Sequence, residues 1–226
     1  MMEKKNPNMR LIIIVGGLLC LINFVIGFLA YPHLPDKVPM HWNLAGEVDG
    51  WGTAWQGAFM LPLIVTGVFL LLVLLPKIDP KRKNYANMGK AYTTIVLVLI
   101  IFFTVIYLGT LGTSLGYLEN IPNLVQLGIG ALFIILGNYM GKLKHNYFMG
   151  IRTPWTLASE EVWYRTHRMA GPFWVIGGLL FMLSSLFAGE VFFKAMLVIV
   201  FVLVAIPTVY SFIIFKKLEK ESQKES

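Results

Sequence analysis

The chain has 226 residues, 57% of them hydrophobic and only 14% charged, with a mean hydropathy of +0.69. Soluble domains carry about 25% charged residues, so the charges here are too few to cover a water-facing surface, and intrinsic disorder is excluded more firmly still. The formal net charge of +7 then becomes a question of which side of a membrane the basic residues lie on, and no direct nucleic-acid contact is expected.

Six apolar runs follow one another, at 11–30, 55–75, 91–111, 123–140, 172–188 and 191–215. A spanning helix needs roughly 20 apolar residues to cross the ~30 Å hydrocarbon core, and the runs meet that length approximately, the fourth and fifth being short. The first run exceeds the ~7–15 residues of a signal-peptide core and offers Phe28 where cleavage wants a small residue, so it is expected to remain as a helix. The single cysteine, Cys20, lies within it and has no partner for an internal disulfide. Pro62 and Pro207 should kink their helices, with neighbouring groups satisfying the freed carbonyls. The central part of every run is free of Asp, Glu, Lys, Arg and His, which argues against a proton relay or an ion path. Polar groups at depth, chiefly Asn23, Gln126 and Asn138, are expected to hydrogen-bond between helices, and Gly112 with Gly116 and Gly137 with Gly141 show the spacing that allows close helix approach.

Charge orients the runs. Seventeen of the nineteen Lys and Arg fall in the N-terminal tail, the connections after the second and fourth runs, and the C-terminal tail; only Lys37 and Lys194 fall in the alternate connections. Short basic loops stay in the cytoplasm. The expectation is therefore an all-α, polytopic integral membrane protein with six transmembrane helices and both N and C termini cytoplasmic. A face this basic should lie against anionic headgroups, which makes membrane lipids its first partners.

All six tryptophans lie in or beside two connections. The outer one, 31–54, carries His41, Trp42, Asn43, Gly46, Asp49 and Trp51, with two prolines at its start and turn chemistry at Gly46 and Asp49-Gly50. His41, Glu47 and Asp49 lack a repeated ligand spacing, so neither a metal site nor a cofactor is expected. The inner connection, 141–171, follows Asn138 and carries Asn146, Gly150, Arg152, Thr153, Pro154, Trp155, Trp163 and His167. Ser159 is a natural N-cap with Glu160 and Glu161 in the first turn, predicting an interfacial helix of about three turns that ends near Gly171-Pro172 and turns Trp163 toward lipid. The guanidinium of Arg152 beside Trp155 suits a peptide carboxylate or a lipid phosphate.

These two connections carry a family resemblance. The stretch from Leu34 to Gly52, with its Pro39-Met40-His41-Trp42-Asn43 core and Asp49-Gly50, resembles the DUF1648 signature. The stretch from Gly137-Asn138 through Asn146 and Gly150-Ile151-Arg152-Thr153-Pro154-Trp155 to Trp163 is similar to the SdpI family motif. The resemblance divides the chain into a DUF1648-like region, 1–90, with two transmembrane helices and the outer loop, and an SdpI-like region, 91–226, with four. It implies a bacterial multi-pass plasma-membrane protein of the immunity and sensor type. Such a protein binds a secreted peptide toxin or envelope ligand outside and holds a transcriptional repressor at its cytoplasmic face.

A non-enzymatic role is expected, since no triad spacing, zinc motif or phosphate-cradling glycine loop is present. Two alternatives stay open. One is a membrane enzyme acting on lipid or peptide with His145, Glu160, Glu161 or His167 as acid and base; the other is a lipid or peptide transporter, which the apolar run interiors disfavour.

Overall fold

The computed structural model describes residues 6–43, 47–118, 121–186 and 190–225. Asn8 starts the first helix, α1 (Met9–Ala30). Its Oδ1 accepts the Leu11 amide at 3.0 Å, while its own amide donates to Thr93 Oγ1 at 2.9 Å and so ties the helix start to a distant part of the chain. A 3-10 turn, Tyr31–His33, leads into an antiparallel hairpin of β1 (Lys37–Trp42) and β2 (Val48–Thr53). The all-α expectation holds for the stretches that can cross a membrane, and among the described residues this hairpin is the strand structure added to it. Prolines and glycines make the segment read as a loop, yet Val38 is fully buried against Gly57, and Gly50 and Gly52 lie against His41 and Met40 where a Cβ would clash. Packing decides the pairing, and the register slips around His41.

Thr53 closes a capping box with Gln56 at the start of α2 (Ala54–Ile78), and a 3-10 turn, Arg82–Asn87, precedes α3 (Gly89–Ser114). Pro62 and Pro76 sit inside α2 and free the carbonyls of Ala58 and Leu72 four residues earlier. Both are satisfied from α3: Tyr107 donates its hydroxyl to the Ala58 carbonyl at 2.8 Å, and Tyr92 donates to that of Leu72. The expectation that neighbours would restore the freed bond is met at Pro62 by the buried Tyr107, and Tyr92 does the same at Pro76, a proline that the sequence did not single out. Replacing Tyr107 by Phe leaves the Ala58 carbonyl unpaired in an apolar surround and should cost about 1–3 kcal/mol. Thermal melts of Tyr107→Phe beside wild type check this, and an unchanged midpoint would remove the role.

The remaining helices are α4 (Ile121–Met140), α5 (Pro154–Ala158), α6 (Glu160–Ser184) and α7 (Glu190–Glu225). The three-turn helix expected to stop near Gly171-Pro172 instead continues through Pro172 as α6. The reason lies in its antiparallel packing on α4. Gly130 faces Gly178 and Gly137 faces Gly171 so closely that a Cβ at any of the four would stand 2.5–2.9 Å from the opposing backbone oxygen. Gly137 thus serves close approach as expected, but with Gly171 opposite; Gly112 only makes room for Leu118 in its own turn.

Five stretches are long and apolar enough to cross a membrane: Met9–His33, Ala54–Ile78, Gly89–Ser114, Ile121–Met140 and Lys194–Lys224. The predicted run 172–188 begins in the second half of α6, whose first half carries Glu160, Glu161, Arg165, His167 and Arg168. From Pro172 to Ser184 the apolar part is roughly 20 Å at about 1.5 Å per residue, short of the ~30 Å core. Outward faces are apolar elsewhere, as at Leu18, Phe28, Leu70 and Phe201, which suits a lipid solvent. Inside, Ile12, Val65, Phe69, Tyr92, Val96 and Ile100 join the first three helices, and Trp163 extends this core into the second half of the chain. Asn23 donates to Thr104 Oγ1 at 3.1 Å between α1 and α3, as expected of a polar group at depth.

Candidate functional site

The two Trp-bearing connections lie at opposite ends of the helices. At the hairpin end, His41 Nδ1 meets Asp49 Oδ1 at 2.5 Å across the strands, with both side chains well exposed. Asn43 closes the turn: its Oδ1 accepts the Glu47 amide at 3.0 Å and its amide nitrogen donates to Glu47 Oε2 at 3.2 Å. Among the described residues no cluster of three or more His, Cys, Asp or Glu gathers with metal-binding geometry. Gly46 lies outside the described residues. Trp51 is 60% exposed, and Trp55, at the start of α2, is exposed as well and packs on Phe59. Trp42 turns the other way, over a groove of about 340 Å³ that the hairpin forms with Gln126, Phe181 and Met196. Gln126 is buried there and its Oε1 has no hydrogen-bond partner among the described residues.

The basic end is built by connections from both halves of the chain. Asn146 is fully buried: its amide nitrogen donates to the carbonyls of Lys144 and Met149, and its Oδ1 accepts the amides of Phe148 and Met149, all at 2.7–3.0 Å. One side chain thereby satisfies a loop that would otherwise bury bare backbone. Trp163 does not face lipid as expected. It is 1% exposed, donates Nε1–H to the Leu143 carbonyl at 2.9 Å, stacks with His167 at 4.1 Å and meets His145 in a tilted contact at 5.2 Å. The indole is turned inward because its one donor finds a loop carbonyl and its ring finds two imidazoles to pack on. Gly150 completes this cluster with φ 107°, and a Cβ there would stand 2.4 Å from His167 Nε2.

His167 spends both nitrogens on the backbone. Nδ1 donates to the Trp163 carbonyl at 2.8 Å and Nε2 accepts the Ile151 amide at 2.9 Å, so the ring is neutral and closed to acid–base chemistry. Burial pushes its pKa down to about 4, against the pull of the Trp163 carbonyl and with a further push from His145. An unfolded histidine titrates near ~6.5. The folded value lies below this, so the stability that the neutral ring supplies is full above about pH 6.5 and is lost as pH falls toward 4, about 2 kcal/mol of it by pH 5. Melts at pH 7.5 and pH 5 should show this loss in wild type and not in His167→Gln; an equal drop in both would assign it elsewhere.

The other expected residues divide. Thr153 caps α5 with Thr156, and its Oγ1 lies 3.0 Å from Ser211 Oγ on α7; Pro154 follows at the first helical position, and Trp155 packs on Phe212 at 5.0 Å. Arg152 is exposed and donates Nη1–H to the Tyr147 carbonyl at 3.0 Å, bracing the loop. Trp155 faces α7, so the two do not form the fork and ring that their spacing suggested. Asn138 stands apart on an exposed face of α4, bonded to the Ile134 carbonyl of its own helix.

Asp79 is what the sequence reading missed. It is 1% exposed and accepts three bonds: from the Lys81 amide at 2.6 Å, the Tyr85 hydroxyl at 2.9 Å and the Tyr147 amide at 3.1 Å. Burial, then this carboxylate, raises the Tyr85 pKa. Asn84 adds a bond to the His145 carbonyl at 2.7 Å, so the 79–88 connection is clamped to the 141–153 loop. The available signal was a lone acid, Asp79, in a connection otherwise rich in Lys and Arg. Of the four groups considered for acid–base chemistry, Glu161 pairs with Arg165 at 2.6 Å and Glu160 stands 3.6 Å from His145, while His167 is sealed.

Fold and site together define a helical membrane protein with ordered structure at both ends, a hairpin at one and a hydrogen-bonded basic loop at the other. The chain belongs to the SdpI/YfhL protein family. The model of that family matches residues 142–211, and DUF1648, a domain of unknown function, matches residues 18–66. The chain is 31% identical over 205 residues, 91% of its own length and 96% of the relative's, to the immunity protein SdpI of Bacillus subtilis (strain 168). No solved structure matches it.

Proposed function

We propose that this chain is a bacterial plasma-membrane immunity protein whose hairpin faces outward and meets a secreted antimicrobial peptide or envelope ligand, while its basic end lies in the cytoplasm. The observation that carries this reading is the likeness to an immunity protein along nearly the whole of both chains. The hairpin supports it physically. Trp51 on the braced strand pair and Trp55 at the start of α2 are large exposed rings, and exposed aromatics on a rigid support are what a peptide or lipid-bound ligand needs. Basic residues concentrated at the other end agree with a cytoplasmic orientation. A transcriptional repressor recruited there is the corresponding signalling role.

Survival is the test. Sensitive cells with and without the chain are challenged with secreted membrane-active peptides; protection by wild type and its loss in Trp51→Ala is the expected result. If no peptide separates the two cultures, the immunity reading fails. Orientation is tested in a Cys20→Ser background, where a membrane-impermeant maleimide on intact cells should label Asp49→Cys and spare Lys220→Cys.

A further inference from the structure

At the basic end, the ends of α3, α4 and α6 leave an open cleft of about 730 Å³. We propose that this cleft binds a phosphate-type oxyanion. The claim is independent of the immunity reading and concerns the opposite end of the molecule.

Three observations converge. First, Lys90, Lys142 and Lys144 line the cleft, and none makes an ion pair among the described residues. Lys142 and Lys144 instead lie over the rings of Tyr139 and Tyr164, with their ammonium groups 4.6 and 6.0 Å from the ring centres. The cleft's two carboxylates are already engaged, Glu160 with Lys81 at 3.5 Å and Glu161 with Arg165 at 2.6 Å, so the three lysines are the uncompensated charge.

Second, the long helix α3 begins in the cleft wall at Met88-Gly89-Lys90 with no side-chain cap and no acid in its first turn. The Ala91 amide is already bonded to the Met88 carbonyl at 2.8 Å, and the helix dipole, uncompensated by any first-turn acid, presents positive charge there.

Third, His145 lines the same cleft at 6% exposure, and neither ring nitrogen has a hydrogen-bond partner among the described residues. The Glu160 carboxylate, at 3.6 Å from Nδ1, is too far to be one. A buried imidazole left unpaired is costly, and here it adjoins the uncapped helix and the free lysines. A tetrahedral oxyanion has enough acceptor oxygens to serve the ring N–H, the ammonium groups and the helix start together. Two sources offer this chemistry, the headgroup of an anionic phospholipid and free phosphate.

The full chain is reconstituted in nanodiscs of phosphatidylcholine, alone or with phosphatidylglycerol. Bound lipid is read by native mass spectrometry, and binding of inorganic phosphate in the phosphatidylcholine discs by calorimetry. The cleft variants are the triple Lys90→Gln, Lys142→Gln, Lys144→Gln and the single His145→Phe, which keeps a ring against Trp163. The control triple, Lys216→Gln, Lys217→Gln, Lys220→Gln, removes equal charge from α7. Phosphatidylglycerol retained by wild type, weakened about tenfold or more in the cleft triple, clearly reduced in His145→Phe and unchanged in the control, assigns a lipid headgroup. The same pattern with inorganic phosphate assigns the free anion. An equal loss in the control triple reduces the effect to general surface charge and overturns the proposal, as does the absence of binding in both arms.

Discussion

Replacing Gly178 by alanine should separate α4 from α6 and cost roughly 2–4 kcal/mol, with larger residues preventing assembly of the second half of the chain. The cause is backbone geometry. The added Cβ would stand 2.5 Å from the Gly130 carbonyl oxygen and 2.8 Å from both the Ile134 amide nitrogen and its side chain. A flexible side-chain tip can rotate away, but a helix carbonyl is held by its own hydrogen bond, so the whole helix has to retreat. Retreat loosens the reciprocal Gly137–Gly171 contact, where the opposing oxygens are 2.7 and 2.9 Å from the built Cβ positions. In lipid, where apolar side chains gain nothing by leaving the solvent, such close backbone approach is a main source of helix association. Gly17 and Gly67 have open space around a built Cβ, so Gly17→Ala or Gly67→Ala is the matched control. Melting midpoints and elution in mild detergent should show loss for Gly178→Ala and none for the controls. A Gly178→Ala chain as stable as wild type would mean that the contact is not close in solution.

Asp79→Ala should be as damaging, at about 3–5 kcal/mol, because it orphans three donors at once. The Lys81 amide, the Tyr85 hydroxyl and the Tyr147 amide all point at a carboxylate that is nearly sealed from water. Asp79→Asn should be intermediate, since one of its two positions becomes a donor facing a donor. The loss should be local first: the 141–153 loop depends on this clamp, so hydrogen exchange at Tyr147 and Ile151 should speed up before the helices α1–α3 melt. If Asp79→Ala leaves exchange at Tyr147 unchanged, the clamp does not hold the loop.

The proline–tyrosine pairs in α2 and α3 show how far a sequence carries the reader. That Pro62 frees a carbonyl follows from its chemistry alone, because the ring has no N–H to donate and clashes with the carbonyl one turn earlier. That Tyr107 satisfies it depends on where α3 comes to rest, since the two residues lie on different helices. Trp163 teaches the converse. Its place near a basic interfacial segment suggested a membrane-facing ring, because tryptophans are enriched at interfaces, but the Leu143 carbonyl and two imidazoles drew it inward. Both outcomes turn on hydrogen-bond partners distant in sequence.

The sequence by itself determined the solvent of this protein, the apolar runs and the segregation of basic residues. Those are one-dimensional properties, readable from hydropathy over about 20 residues and from the count of Lys and Arg between the runs. It also pointed to the two connections where ordered structure would lie, and there the family likeness was legible in short motifs. Only the tertiary structure decided that residues 37–42 and 48–53 pair as strands, that α6 runs unbroken through Pro172, and that His145 and His167 both pack on a buried Trp163. The same holds for Asp79 as the clamp between two connections. The physical reason is common to all four: each depends on polar or backbone groups finding partners across the fold, which local propensity and periodicity do not encode.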